Sequence, residues 1–332
     1  MTYSSLTSLP NVELQPGKPP ILRVEPTGDA ASWAAEHRKA LHALVNEHGS
    51  LMVRGVGLRD AAETEAVFRQ LGSLMAETEA FAPRRRYAEG VYSSSKWPAN
   101  QQMCMHHELS YLLEVPSLML FACLVAPTRR GETQLADSPA VLKALPVELV
   151  ERFERAGWLL IRNYNEDIGA SIAESFGTQD RRAIETYCRA NAIRFEWQPE
   201  GGLRTWQRRS AIVRHPPTGQ RCWFNQIAFL NEWTMDPDLH EYLIDIYGQD
   251  GLPFNTRFGD SSPIGPEVIR LLNEVYAKNT VCETWQSGDL LLVDNFRTSH
   301  GREKFEGPRE VLVAMAEPVR VTDCSATIEV SA

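Results

Sequence analysis

The run Met105-His106-His107-Glu108-Leu109-Ser110-Tyr111 places two imidazoles and a carboxylate ahead of a long apolar stretch. If 105–110 is a strand, its side chains alternate between two faces. His106 and Glu108 then point the same way, and His107 points the other way with Leu109. One strand face thus offers a single ion one imidazole and one carboxylate. Two histidines and one carboxylate form the facial set of non-haem Fe(II) oxygenases, which leaves coordination positions open for co-substrate and oxygen.

A third ligand must come from elsewhere, and the chain has eight histidines. His37, His42 and His48 lie in or beside a helical stretch. His240 sits in a polar segment, and His215, ahead of two prolines, reads as a turn. His300 closes "GDLLLVDNFRTSHGR", just past an apolar strand, and is the best placed. An HxE pair alone is common by chance, so the elements that carry it must supply the rest of the case.

Asp29 to His48 reads as a helix, with Asp29 as N-cap and Gly49 as the stop. Residues 60–72 read as a second helix, 138–157 as two short helices divided by Pro146, 179–191 as another and 266–277 as the last. Strands are expected at 21–26, 50–56, 91–95, 102–110 and 117–126. Further strand-like pieces lie in 158–215 and in three segments after 279. Residues 250–265 read as an exposed loop, and the first 20 residues as an irregular arm. Early helices flanking many short strands suggest a β-barrel or double sheet decorated by helices, folded as one domain over 21–332.

The 332 residues are ample for a buried core. A net charge of -9 argues against nucleic acid or anionic membrane as partner. Six scattered cysteines without a CxxC pair read as reduced thiols of a cytoplasmic protein. No leader is visible, and no apolar run reaches the ~20 residues of a membrane helix.

The segments "HHELSYLLEVPSLMLFACLVAPTRRGETQLAD" and "WQSGDLLLVDNFRTSHGREKFEGPREVLVAM" resemble the taurine-dioxygenase (TauD/TfdA) family of Fe(II)/2-oxoglutarate oxygenases. Within it they look most like the SyrP-like branch of amino-acid β-hydroxylases. "FGTQDR", "RHPPTGQRCWFNQ" and "GPEVIRLL" extend the likeness from about residue 90 to 318. The resemblance implies a double-stranded β-helix, a jelly roll of the clavaminate synthase-like kind. It implies His106, Glu108 and His300 as iron ligands. Thr133 in "RGET" and Arg309 in "GPRE" match the contacts to the far carboxylate of 2-oxoglutarate. A guanidinium fork suits a carboxylate better than a lysine point charge. The chain departs from the pattern at "FGDSSPI", where "GDG" is expected.

The implied reaction uses O2 and 2-oxoglutarate to hydroxylate an unactivated C–H bond, releasing succinate and CO2. Glu108 occupies the position that related halogenases leave to chloride, which argues against halogenation. The expected substrate is an amino acid or its derivative in natural-product biosynthesis, free or held on a peptidyl carrier protein. Desaturation or cyclisation of a free small molecule is the rival outcome. A non-catalytic jelly-roll binder is the rival of another class, and a zinc hydrolase would leave Arg309 and Thr133 without a task. Ser94, Gln102, Tyr111, Asn225, Gln226 and Arg302 are candidate substrate contacts, with 160–180 or 250–265 as a lid or docking loop. His107, Asp294 and Asn295 read as structural.

Overall fold

The computed structural model describes residues 11–324, apart from Thr27, Ala80, Ala82, Pro83, Ser95, Lys96, Glu166 and Glu200. The first half of the expected N-terminal arm, residues 1–10, therefore lies outside the described residues. Residues 11–20 are irregular save for one bridge between Glu13 and Ile21.

A seven-stranded sheet runs in the order Ile21–Arg23, Ser50–Arg54, Leu290–Asp294, Glu114–Val125, Glu310–Arg320, Val91–Ser93, Arg86–Ala88. Its central strand is apolar on both faces because both are buried. Leu118, Leu120 and Ala122 pack with helices Ala30–His48 and Ala61–Leu71, while Met119, Phe121 and Cys123 enter the main core on the other side. The first helix is capped as the sequence indicates: Asp29 accepts from the Ser32 amide at 2.9 Å, and Gly49 turns left-handed at φ 81°.

A second sheet orders Thr280–Val281, Thr133–Asp137, Thr298–Arg302, Met103–His106. A third orders Arg194–Trp197, Leu203–Arg209, Trp158–Tyr164, Phe254–Phe258. Together they make the expected β-rich jelly roll with flanking helices, its sheets open and not closed into a barrel.

Three expectations change. The strand at 102–110 stops at His106, and residues 108–111 form a turn with Leu109 left-handed at φ 53°. Glu108 therefore joins His106 by a turn, because the chain must bend there to enter the Glu114–Val125 strand. Residues 250–265 are not one loop, since Phe254–Phe258 pairs antiparallel with Trp158–Tyr164. That same strand occupies the start of the segment 160–180. At "FGDSSPI", Ser261 takes φ 71°, so it holds the left-handed turn that a glycine adopts without cost.

A buried polar cluster ties the third sheet to the segment below the second helix. The Glu79 carboxylate accepts from Tyr187 and Gln207, both at 3.2 Å, and lies 3.6 Å from Arg162. Its backbone oxygen accepts from Tyr111 at 3.1 Å. Glu79→Ala strips the countercharge from a buried arginine, and should cost about 3–5 kcal/mol in denaturant unfolding. A loss below ~1 kcal/mol would show that the cluster is not coupled to folding.

Candidate active site

His300 and His106 face each other across paired strands, directly in register, with a bulge following between His300 and Arg302. Their rings lie 4.4 Å apart, and His300 Nε2 is 3.6 Å from Glu108 Oε2. One donor atom from each of His106, Glu108 and His300 lies within 4.8 Å of the others, and all three residues are buried. His106 Nδ1 sits 2.8 Å from the Cys104 carbonyl, which holds the proton on that nitrogen and leaves Nε2 as a lone-pair donor. Burial, and then the neighbouring His300, push the His106 imidazole down to about 3, which keeps it neutral. Burial alone would raise the Glu108 carboxyl, but the Arg84 guanidinium and His300 hold it well below the usual carboxylate range. His300 Nδ1 is buried with no partner among the described residues. Two imidazoles, with His106 held neutral, and an ionised carboxylate, gathered out of water, fit a divalent ion.

The turn that carries Glu108 is clamped from behind. Asn295 Oδ1 accepts from the Glu108 amide at 2.8 Å, and its Nδ2 donates to the Glu108 and Pro116 carbonyls at 3.0 and 2.9 Å. Asp294 caps the 295–297 turn that carries Asn295 by accepting from the Phe296 and Arg297 amides, both at 3.0 Å. His215 Nε2 meets the other Asp294 oxygen at 2.7 Å. His215 opens the turn its proline neighbours imply, with its carbonyl accepting from the Gly219 amide at 2.8 Å, and its ring is a buried brace. Asn295→Ala should weaken Fe(II) binding about 10–100-fold, as loss of support behind a metal ligand does. Anaerobic Fe(II) titration measures this, and unchanged affinity would show that the clamp is idle.

Two cavities meet at His106, Glu108, Arg84 and Met103. The first is also lined by Ser94, Thr133, Arg302 and Arg309. Arg309 donates to the Gly131 carbonyl at 3.1 Å and to Ser94 Oγ at 3.3 Å, with no ion pair among the described residues. Burial and the nearby Arg302 push its guanidinium down to about 10, so it gains from a bound anion. Thr133 lies opposite Arg302 in the strand register. The second cavity adds Glu77, Phe81, Trp97, Tyr111, Gln226 and Phe229. The Phe229 ring stacks on His106 at 4.7 Å.

The candidate substrate contacts divide. Gln226 lines the second cavity, with its Nε2 spent on the His107 carbonyl at 2.8 Å. Tyr111 lines it with its ring, while its hydroxyl turns away to Glu79. Ser94 braces Arg309. Gln102 donates to Gln134 at 2.8 Å and lines neither cavity. Asn225 is also outside both, because its amide bonds the Ala211 carbonyl and the Ile227 amide. Arg302 reaches the first cavity, but its guanidinium donates to the carbonyls of Trp97, Pro98 and Gln101 at 2.6–3.1 Å. It pins that loop and forms no ion pair with an acid among the described residues. His107 faces away from the donor set, 2.6 Å from Ser138 Oγ.

Sequence reading missed Arg84, Glu77 and the aromatic wall. Arg84 donates to Glu108 at 3.0 Å and lies 3.4 Å from Glu77. Burial, helped by Glu108 and opposed by Arg84, pushes the Glu77 carboxyl up. Glu77 and Arg84 fall in a segment with no periodicity, where only their charge marks them.

All six cysteines are free thiols. Among the described residues no helix is long and apolar enough to cross a membrane.

The family model "Taurine catabolism dioxygenase TauD, TfdA family" matches residues 13–315. Dapdiamide synthesis protein DdaC of Enterobacter agglomerans is 34% identical over 298 residues, covering 88% of this chain and 89% of that protein. A clavaminate synthase-like protein of Arabidopsis thaliana is 26% identical over 289 residues, covering 83% and 84%. Among solved structures, PvcB of Pseudomonas aeruginosa is described as an Fe, alpha-ketoglutarate dependent oxygenase from an isonitrile synthetic pathway. It superposes with a TM-score of 0.54 at 18% identity, covering 92% of this chain and 89% of its own. AAD-2, solved with Mn(II) and N-oxalylglycine, gives 0.54 at 16% identity, covering 94% and 98%. The two structures share the fold of this chain. With the family model spanning most of its length, the chain belongs to the TauD/TfdA family and is an Fe(II)- and 2-oxoglutarate-dependent dioxygenase.

Proposed function

We propose that this enzyme hydroxylates an unactivated C–H bond of an amino acid or amino-acid-derived molecule in natural-product biosynthesis. The balance is one O2 and one 2-oxoglutarate consumed per C–H bond, with succinate, CO2 and the alcohol released. The carrying observation is the convergence of the His106, Glu108 and His300 donors beside the buried, unpaired Arg309. Iron bound by those three donors would supply the oxidising power. Arg309 would fix the far carboxylate of 2-oxoglutarate, and Thr133 would add a hydroxyl at the same end. Glu108 fills the carboxylate position and leaves no such site for a halide. Phe121 and Phe229 pack on the two imidazoles and keep water from their edges. The likeness to a dapdiamide synthesis protein supports the biosynthetic setting. A free acid and an aminoacyl carrier protein are both consistent with this reading.

Anaerobic Fe(II), followed by 2-oxoglutarate, should produce a weak visible charge-transfer band that needs both additions. Iron binding without the band would overturn the co-substrate assignment. With the band in hand, product mass separates hydroxylation (+16) from desaturation or cyclisation (-2), and the latter would overturn the hydroxylase reading.

A further inference from the structure

The second cavity holds an acid that the iron and co-substrate chemistry leaves unused. Glu77 lines it with a side chain only 10% exposed. Its one charged neighbour within ion-pair distance among the described residues is Arg84, at 3.4 Å and without hydrogen-bond geometry. Arg84 spends its hydrogen bond on Glu108 at 3.0 Å. One guanidinium thus stands between two carboxylates and is hydrogen-bonded to Glu108, which leaves the Glu77 carboxylate without a hydrogen-bond donor among the described residues.

The other polar groups point the same way. Gln226 has spent its Nε2 on His107 and presents its carbonyl oxygen, while the Tyr111 hydroxyl is turned to Glu79. Phe81, Trp97 and Phe229 complete the wall, with Phe229 6.0 Å from Phe81 and 5.5 Å from Trp97. Aromatic faces attract cations and offer an anion nothing. A carboxylate, an amide carbonyl oxygen and ring faces are complementary to an ammonium group.

We propose that Glu77, walled by Phe81, Trp97 and Phe229, is the subsite for an ammonium group of the substrate. This deepens the hydroxylase reading and rests on it. Glu77 is one guanidinium away from Glu108, so a cation held there brings its neighbouring carbons beside the metal donors. The subsite does not require a free carboxylate, so it accepts an amino acid whose carboxyl is esterified to a carrier.

The test titrates the anaerobic Fe(II)- and 2-oxoglutarate-loaded protein with the standard L-amino acids in three forms: free, Nα-acetylated and carboxyl-methylated. Nε-acetyl-lysine is added, and tryptophan emission and the visible band are followed. Acetylating the recognised ammonium should weaken binding at least ~30-fold, as loss of one partner of a buried charge pair does. Carboxyl methylation should change it by less than ~3-fold on the same scale. A penalty at Nα identifies the backbone ammonium as the source, and one at Nε alone a side-chain ammonium; either supports the subsite. In Glu77→Gln the penalty should collapse, with free and acetylated forms within ~3-fold of each other. The wild-type arm decides without any variant. Equal binding of acetylated and free forms, or a formed band that no ammonium compound perturbs, overturns the subsite and leaves the oxygenase reading standing. Failure of the band to form would instead remove the reading on which the subsite rests.

Discussion

Arg309→Leu is expected to raise the 2-oxoglutarate concentration needed for half-maximal succinate release at least ~100-fold. Fe(II) binding should stay within a factor of a few, because Arg309 touches none of the three donors. Its guanidinium is buried, depressed to about 10, and faces a cavity in which no acid pairs with it. A dicarboxylate would supply the missing anion through two parallel hydrogen bonds, and leucine removes both. Arg309→Lys keeps the charge without the fork, and should fall between leucine and wild type. If both variants keep the wild-type 2-oxoglutarate dependence, the cavity beside Thr133 is not the co-substrate site.

His106→Ala and Glu108→Ala are each expected to abolish turnover and lower Fe(II) affinity at least ~1,000-fold. Each removes one of three protein ligands from a site that keeps other positions open. Glu108→Ala also leaves Arg84 facing Glu77 alone, so it should alter substrate binding as well as metal binding. The measurement is anaerobic Fe(II) titration with thermal unfolding alongside. Loss of the metal-induced rise in unfolding temperature, with a folded apoprotein, is the expected pattern. Wild-type metal affinity in either variant would remove that residue from the ligand set.

Much of this site was legible in the chain. His106 and Glu108 share a site as their spacing suggests, though through a turn and not one strand face; His300 was marked by the apolar strand before it, and Arg309 by the family resemblance of "GPRE". The helix limits at Asp29 and Gly49 are local chemistry, written in capping residues. The alternation of Leu118, Leu120 and Ala122 against Met119, Phe121 and Cys123 was visible only as a continuous apolar run, since burial on both faces erases the polar half of the pattern.

Other features needed the fold. Phe254–Phe258 became a strand because Trp158–Tyr164 offered it a partner, and turn-rich flanks hid that. Asn225 and Gln226 look alike in sequence, yet only Gln226 lines the cavity. His215 and Asp294 are 79 positions apart, as are partners that only chain closure brings together. The sequence by itself determined the candidate donors and the helix caps, because residue type, spacing and capping are local rules. Tertiary structure alone decided which charges are already paired: Arg302 spent on backbone carbonyls, Arg84 shared between Glu108 and Glu77, and Arg309 left for an anion. Desolvation and long-range contact set those assignments, and neither has a signature in residue spacing.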